Sequence, residues 1–239
     1  MAKNYSKQGD INLKILDKAD NFTNWMYEQI KPYLQGNILE IGSGRGTYSN
    51  KIIRDFKNNN IFLSDIDIKY VNKLKTKYKD NSNISVCKID ITSKKDLSKI
   101  NGSVNSVFAL NVLEHINNDV LAMNNIYDKL SKNGKFIILV PAHKFLYNCI
   151  DKKVGHYRRY TKKEMIEKIR KTKFKIKKIF YFNFLSVFAW YINGNIFKKE
   201  KINENAMGFY NKLVPLMKLF EKNILRNSLG VSLIVVLEK

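Results

Sequence analysis

"NILEIGSGRGTYS", residues Asn37 to Ser49, is the stretch on which the reading of the fold turns. Three glycines, Gly42, Gly44 and Gly46, stand at every second position directly behind an apolar run that contains Glu40. The apolar run reads as a buried strand, and glycines at this density let the chain turn sharply and let another group approach the bare peptide. The spacing is Glu40-x-Gly42-x-Gly44-x-Gly46. A dinucleotide fingerprint, G-x-G-x-x-G, would place its third glycine one position later, where Thr47 stands. A tight strand-to-helix turn with no ligand is the alternative.

Outward from this segment, strands and helices alternate. Strands are predicted at Ile38 to Ile41, Ile61 to Ser64, Ile84 to Lys88, Ser106 to Leu110 and Phe136 to Val140. Between them, "IKYVNKLKTKY" places Val71, Leu74 and Tyr78 on one helical face, with Asp67 as its cap. A second helix is predicted from Asp119 to Leu130, with Leu121, Ile126 and Leu130 inward and Asn133-Gly134 as its stop. Strand after helix after strand implies a parallel sheet covered on both faces, an α/β architecture. Later, "YTKKEMIEKIRK" opens with a capping box from Thr161 to Glu164, "FKIKKIFYF" alternates like a strand, and Val231 to Glu238 reads as a buried final strand. An insertion of almost fifty residues, 183–230, rich in aromatic and apolar side chains, separates those two strands, a length that suggests a functional cap rather than a loop.

The glycine segment resembles motif I of the class I S-adenosylmethionine-dependent methyltransferases, in the small-molecule group of methyltransferase types 11 and 12. Three further segments match the family in order: "IFLSDID" after the second strand, "VCKIDIT" after the third and "SVFALNVLEHINND" at the fourth. The resemblance covers roughly residues 34–180 and includes 231–238 as the last strand. It implies a three-layer Rossmann-like fold with a seven-stranded sheet in the order 3-2-1-4-5-7-6, strand 7 antiparallel, and S-adenosylmethionine as cofactor with S-adenosylhomocysteine as product. One domain is expected: a helical N-terminal cap over 1–33, a core over 34–182 and 231–239, and a cap insertion over 183–230. Carried over by position, Glu40, Gly42, Gly44 and Gly46 surround the methionine portion, Asp65 takes the ribose and Ile66 packs on the adenine. Asp90 and Ile91 hold the adenine edge, and Asn111 meets the cofactor's amino group. Asp90 read alone is also a plain turn residue. Arg45 departs from the expected pattern, because a cation beside a sulfonium is unfavourable unless it points outward or pairs with Glu40 or a substrate anion.

The chemistry of methyl transfer is an in-line displacement, so a base is required only where the acceptor must lose a proton. All three histidines, His115, His143 and His156, follow the fourth strand. "CIDKKVGHYRRYTKKE" resembles a loop of small-molecule and glycan-associated bacterial methyltransferases. In one reading Asp151 orients His156 as a base, His143 faces the pocket, and His115, Arg158, Arg159 and Tyr160 bind an acceptor bearing carboxylate or phosphate. In the other, His156, Arg158 and Tyr160 lace the loop onto the sheet, and His115 orders its own turn. Phe184, Phe188, Trp190 and Tyr191 roof an aromatic acceptor, pack as a stripe on the core, or touch a membrane surface.

Composition bounds these readings. The chain has 239 residues, 44% of them hydrophobic, and a formal charge of +22 from 43 Lys and Arg against 21 Asp and Glu. That charge attracts phosphorylated metabolites, nucleic acid or acidic membrane surfaces. Yet lysine is scattered over most helices, as a solvated basic surface or an AT-rich coding sequence would give. The densest run, Lys168 to Lys178, would steer an acidic substrate. Cys87 and Cys149 cannot form a disulfide framework, no signal-like stretch opens the chain, and no transmembrane segment is indicated, so a cytoplasmic setting is expected. No acidic or histidine spacing marks a metal site. The leading expectation is methyl transfer to an oxygen or nitrogen of a small molecule: a sugar, a lipid-linked intermediate or a natural product. RNA methylation, favoured by charge, lacks the Asn-Pro-Pro-Tyr or Pro-Cys signatures of base methylation. A non-catalytic cofactor-binding protein is the third reading.

Overall fold

A computed structural model describes residues 7–199, 203–221, 223 and 227–239; parts of both expected caps, 1–6, 200–202, 222 and 224–226, lie outside the described residues. The seven strands are β1 (Ile38–Ile41), β2 (Ile61–Asp65), β3 (Ile84–Lys88), β4 (Val104–Leu110), β5 (Leu130–Pro141), β6 (Lys175–Phe182) and β7 (Ser232–Glu238). They form one sheet in the order β3-β2-β1-β4-β5-β7-β6. Pairing is parallel from β3 to β5, while β7 runs antiparallel to both β5 and β6.

The strict side-chain alternation of a strand divides the core into two layers. Phe136, Ile138 and Val140 of β5, with Leu233, Val235 and Leu237 of β7, face one side. Ile137, Leu139, Ile234 and Val236 face the other. The first face is covered by α5 (Lys94–Leu97), α6 (Asp119–Lys129) and α8 (Lys162–Ile169), through Leu97, Ile126 and Met165 among others. The second is covered by α2 (Asp20–Ile30), α3 (Ser49–Asp55), α4 (Ile68–Lys77) and α10 (Glu204–Phe220), through Trp25, Ile52, Leu74 and Met217. This is the three-layer Rossmann-like arrangement that the sequence predicts.

The local signals hold where the partner is nearby in sequence. Asp67 accepts from the Lys69 N–H, and Thr161 and Glu164 close a capping box. Two expectations on α6 do not hold. The helix stops at Lys129, because Leu130 is extended and pairs with Val104 of β4, so Asn133-Gly134 falls inside the opening of β5. Leu121 is exposed, and Ala122, Met123 and Ile126 take the inward face instead. The basic run Lys168 to Lys178 ends on β6, the sheet's edge, where exposed lysines discourage edge-to-edge pairing.

Two helical segments stand outside the sheet layers. α1 (Lys7–Asp17) lies over the turn after β1, with Leu13 against Gly44 and Asp17 bonded to Arg45 and Thr47. Arg45 therefore pairs with Asp17, not with Glu40. After β6 come α9 (Leu185–Trp190), a wide π-type turn over Tyr191–Ile196, and then α10. Pro215 lies inside α10 and has no N–H for the carbonyl of Asn211, four residues back. That carbonyl accepts instead from Asn21 Nδ2 at 3.0 Å, and Asn211 Oδ1 accepts the Phe22 N–H at 2.9 Å. The second bond supplies the start of α2 with an acceptor that its N-cap residue, Ala19, lacks. Replacing Asn211 by Ala is expected to cost about 1 kcal/mol in urea unfolding. An unchanged midpoint would show that the two helices dock by apolar contact alone.

Candidate active site

The turn that leaves β1 runs with left-handed backbone at all three glycines: φ is 73° at Gly42, 51° at Gly44 and 84° at Gly46. Side chains are strained in that region, which is sufficient reason for glycine at each position. Gly46 also abuts α4, where a Cβ would lie 3.0 Å from Leu74. The turn is held by the neighbouring strand: Gly42 and Ser43 N–H groups both donate to the Ser64 carbonyl, and the Gly44 N–H donates to Asp65 Oδ2 at 2.8 Å. Burial pushes the Asp65 carboxyl up to about 6, although its bonds from Asp67 and Gly44 N–H pull the other way.

A cavity of about 350 Å³ opens along this turn. Glu40, Gly42, Gly44 and Asn111 line it, and so do His115, His156 and Arg159. Ser186, Trp190, Met207 and Tyr210 of the insertion also line it. Asp65, Ile66, Asp90 and Ile91 do not line this cavity. Asp65 is buried beneath the turn, Asp90 accepts from Thr92 N–H and hydroxyl, and the Ile91 side chain packs in the core. Asn111, with φ 54°, lines the wall directly after β4.

Glu40 is buried, and its partners are hydroxyl groups: Ser49 Oγ donates at 2.5 Å, and Ser43 also bonds it. No lysine or arginine among the described residues pairs with it. Burial therefore raises its carboxyl to about 7. A desolvated carboxylate on a cavity wall without a cation is a natural counter-charge for a positively charged ligand.

Around His156 and Arg159, Asp151 is the organising residue. It opens α7 (Cys149–Val154) in a capping box with Asn148, so its own helix fixes its position. His156 Nδ1 lies 2.7 Å from Asp151 Oδ1, and Arg159 Nε donates to both Asp151 oxygens at 3.0 and 2.9 Å. Burial alone would raise the Asp151 carboxyl, but the bonds from His156 and Arg159 outweigh it and hold the group below the usual carboxylate range. An anionic Asp151 keeps the hydrogen on Nδ1 and leaves Nε2 of neutral His156 as a lone pair. Nε2 faces Glu114 Oε1 at 3.7 Å. The Arg159 guanidinium also sits 4.6 Å above the Trp190 ring, so its place on the cavity wall is rigid.

Glu114 was not singled out by the sequence reading. Its carboxylate is fully buried, neither oxygen has a hydrogen-bond partner among the described residues, and burial raises it to about 7. The available signal was a charge inside the apolar run "NVLEHI". His115 packs edge-on to His156 with centroids 4.7 Å apart, and burial, with His156 beside it, lowers it to about 4. One ligating atom from each of Glu114, His115 and His156 falls within 4.8 Å of the others, the one such group among the described residues. The sequence shows no metal-ligand spacing because the fold brings His156 to the other two.

The remaining candidates lie elsewhere. Asp119, buried at the start of α6, accepts from Arg158 Nη1 at 2.9 Å, Tyr160 OH at 2.8 Å and Lys168 Nζ at 2.8 Å. Arg158 and Tyr160 thus tie the loop to α6 and do not line the cavity. His143, in a left-handed turn at φ 64°, stacks on Tyr181 at 4.9 Å and does not line it either; burial lowers its basicity. Of the four aromatic residues expected to roof the site, Trp190 alone lines the cavity, while Phe188 and Tyr191 are exposed.

Residues 39–136 match the family model described as a methyltransferase domain. The match runs from β1 into β5. Methyltransferases are among the similar proteins. A malonyl-(acyl-carrier protein) O-methyltransferase of Ilyobacter polytropus is 24% identical over 181 residues, 73% of this chain and 64% of that protein. The chain thus spans under two thirds of the length of that curated relative. An S-adenosylmethionine-dependent methyltransferase from Mesorhizobium loti shares the fold with a TM-score of 0.62 at 12% identity, over 92% of this chain and all of that one. Coclaurine N-methyltransferase, solved with N-methylheliamine and SAH, shares it with a TM-score of 0.61 at 14% identity, over 92% of this chain and 72% of that one.

A carboxyl raised in the fold favours its protonated form, so Glu114 costs stability as pH rises from its ordinary value of 4.5 through about 7. Glu114→Gln is expected to flatten the fall of the urea midpoint between those pH values. A variant curve parallel to the parent's would place the titrating group elsewhere.

Proposed function

We propose that this protein transfers a methyl group from S-adenosylmethionine to an oxygen or nitrogen of a small molecule, such as a sugar, a lipid-linked intermediate or a natural product. The observation that carries the reading is that one cavity is lined both by Glu40, which has no cation beside it, with the glycine turn, and by His115 and His156. A cationic cofactor suits the Glu40 wall and a protic acceptor the histidine wall. An O-methyltransferase and an N-methyltransferase among the similar proteins agree with both acceptor types.

Bound there, the sulfonium cofactor supplies an activated methyl group. Glu40 with Gly42, Gly44 and Asn111 holds the methionine end, and the adenosine end extends beyond this cavity toward Asp65, Ile66, Asp90 and Ile91, which the resemblance assigns to it by position. His156 takes the acceptor's proton on Nε2 while Asp151 steadies the resulting imidazolium. Arg159, locked by Asp151 and Trp190, offers its remaining N–H groups to an acceptor anion. Side chains of α1, α2, α9 and α10 line the cavity and serve to exclude water.

Two outcomes test the assignment. His156→Ala is expected to lower turnover by on the order of 10²-fold, with cofactor affinity unchanged; full activity would make the loop structural. Binding of S-adenosylmethionine near pH 6 is expected to release a proton, because a cation beside Glu40 favours its ionised form. Calorimetry in two buffers of different ionisation enthalpy reads that release, and Glu40→Gln should abolish it. Methylation assays on a metabolite and lipid extract against total RNA separate small-molecule from RNA transfer, and cofactor binding with no transfer to either marks a non-catalytic protein.

A further inference from the structure

α10 carries two apolar faces. Val214 and Met217 turn inward and are buried. Phe209, Leu213, Leu216 and Phe220, spaced at i, i+4, i+7 and i+11, make a second stripe that faces solvent. Phe209 is 67% and Leu216 68% exposed. The exposed apolar surface continues before α10: Phe188 of α9 is exposed, as are Ile196 and Phe197 at the end of the π-type turn, the last at 63%. Exposed apolar side chains in this number along one insertion signal something that covers them.

Charge selects the occupant. Residues 185–220 hold five lysines against two glutamates, and Lys198, Lys199 and Lys212 are exposed beside the aromatic and aliphatic positions. The whole chain carries +22, so a second copy pressed against this face meets strong like-charge repulsion, whereas an anionic surface is attracted. No helix among the described residues is long and apolar enough to cross a membrane. Apolar side chains at the surface with lysines around them are the arrangement of a helix that lies in the headgroup region.

We propose that the outer face of α9, the π-type turn and α10 docks on an anionic phospholipid bilayer, and that the acceptor is delivered to the cavity on a lipid. The inner side of the same unit lines the cavity through Ser186, Trp190, Met207 and Tyr210. The bilayer would therefore lie one helix layer from the site, and a headgroup-borne hydroxyl or amine reaches it without leaving the interface. The delivery step rests on the methyl-transfer reading; the docking step does not.

Co-sedimentation with vesicles separates the two. The full chain is expected to bind mixed phosphatidylglycerol and phosphatidylcholine vesicles and to bind phosphatidylcholine alone far less. Phe209→Ser combined with Leu216→Ser should weaken vesicle binding about tenfold or more, with S-adenosylmethionine affinity and melting temperature unchanged, since both residues face solvent. Lys198→Gln with Lys212→Gln should reduce the preference for anionic vesicles. Absence of vesicle binding, or binding that the serine pair leaves intact, overturns the docking surface. Sedimentation velocity that finds a dimer dissolved by the serine pair overturns it in favour of a second copy. Vesicle binding in a protein that binds no S-adenosylmethionine keeps the surface and sinks the methyl-transfer reading.

Discussion

The turn out of β1 is held by hydrogen bonds that only a left-handed backbone can present. Gly42 and Ser43 both donate to the end of β2, and Gly44 donates to the buried Asp65 carboxylate. Because β1 lies between β2 and β4 in the sheet, this turn opens where the strand order reverses, the position at which open α/β sheets hold ligands. Everything above the turn is arranged around it: α1 covers Gly44 with Leu13, α4 packs on Gly46, and Glu40 points into the cavity from the strand beneath.

Three buried carboxylates beyond β4 show how differently the fold treats like groups. Asp119 receives three donors and anchors the loop to α6. Asp151 is neutralised by Arg159 and spends its remaining capacity on His156. Glu114 has no such compensation and lies across from the His156 lone pair. Desolvation of an unpaired carboxylate is costly, so Glu114 is an energetically expensive group buried directly behind His156. The two arginines of the Gly-His-x-Arg-Arg-Tyr stretch divide accordingly. Arg158 turns to Asp119 and is architectural, while Arg159 turns to Asp151 and reaches the cavity wall.

The insertion is joined to the rest by polar contacts that a proline makes available. Pro215 frees the Asn211 carbonyl for Asn21, and the Glu221 carboxylate accepts the N–H groups of Asn183 and Phe184 where the chain leaves β6. The cap is thus pinned at both its entry and its long helix, which lets its inner side form part of the cavity while its outer side stays apolar and exposed.

The sequence by itself determined the elements whose signals are local. Strand alternation, the Asp67 cap, the Thr161 capping box and the three glycines each depend on residues within a few positions, so the seven strands and the glycine turn after β1 were legible. The sheet order came from the resemblance carried by four motifs. Only the tertiary structure decided which residues meet. Leu130 became extended because β4 offered Val104 a partner, Arg45 found Asp17 in a helix far upstream, and Arg158 and Tyr160 found Asp119. Glu114 became a site residue because the loop after β5 folded His156 over it. Hydrogen-bond and charge partners are chosen by proximity in space, and a one-dimensional pattern carries the period of a helix or strand but not the identity of its neighbour across the core.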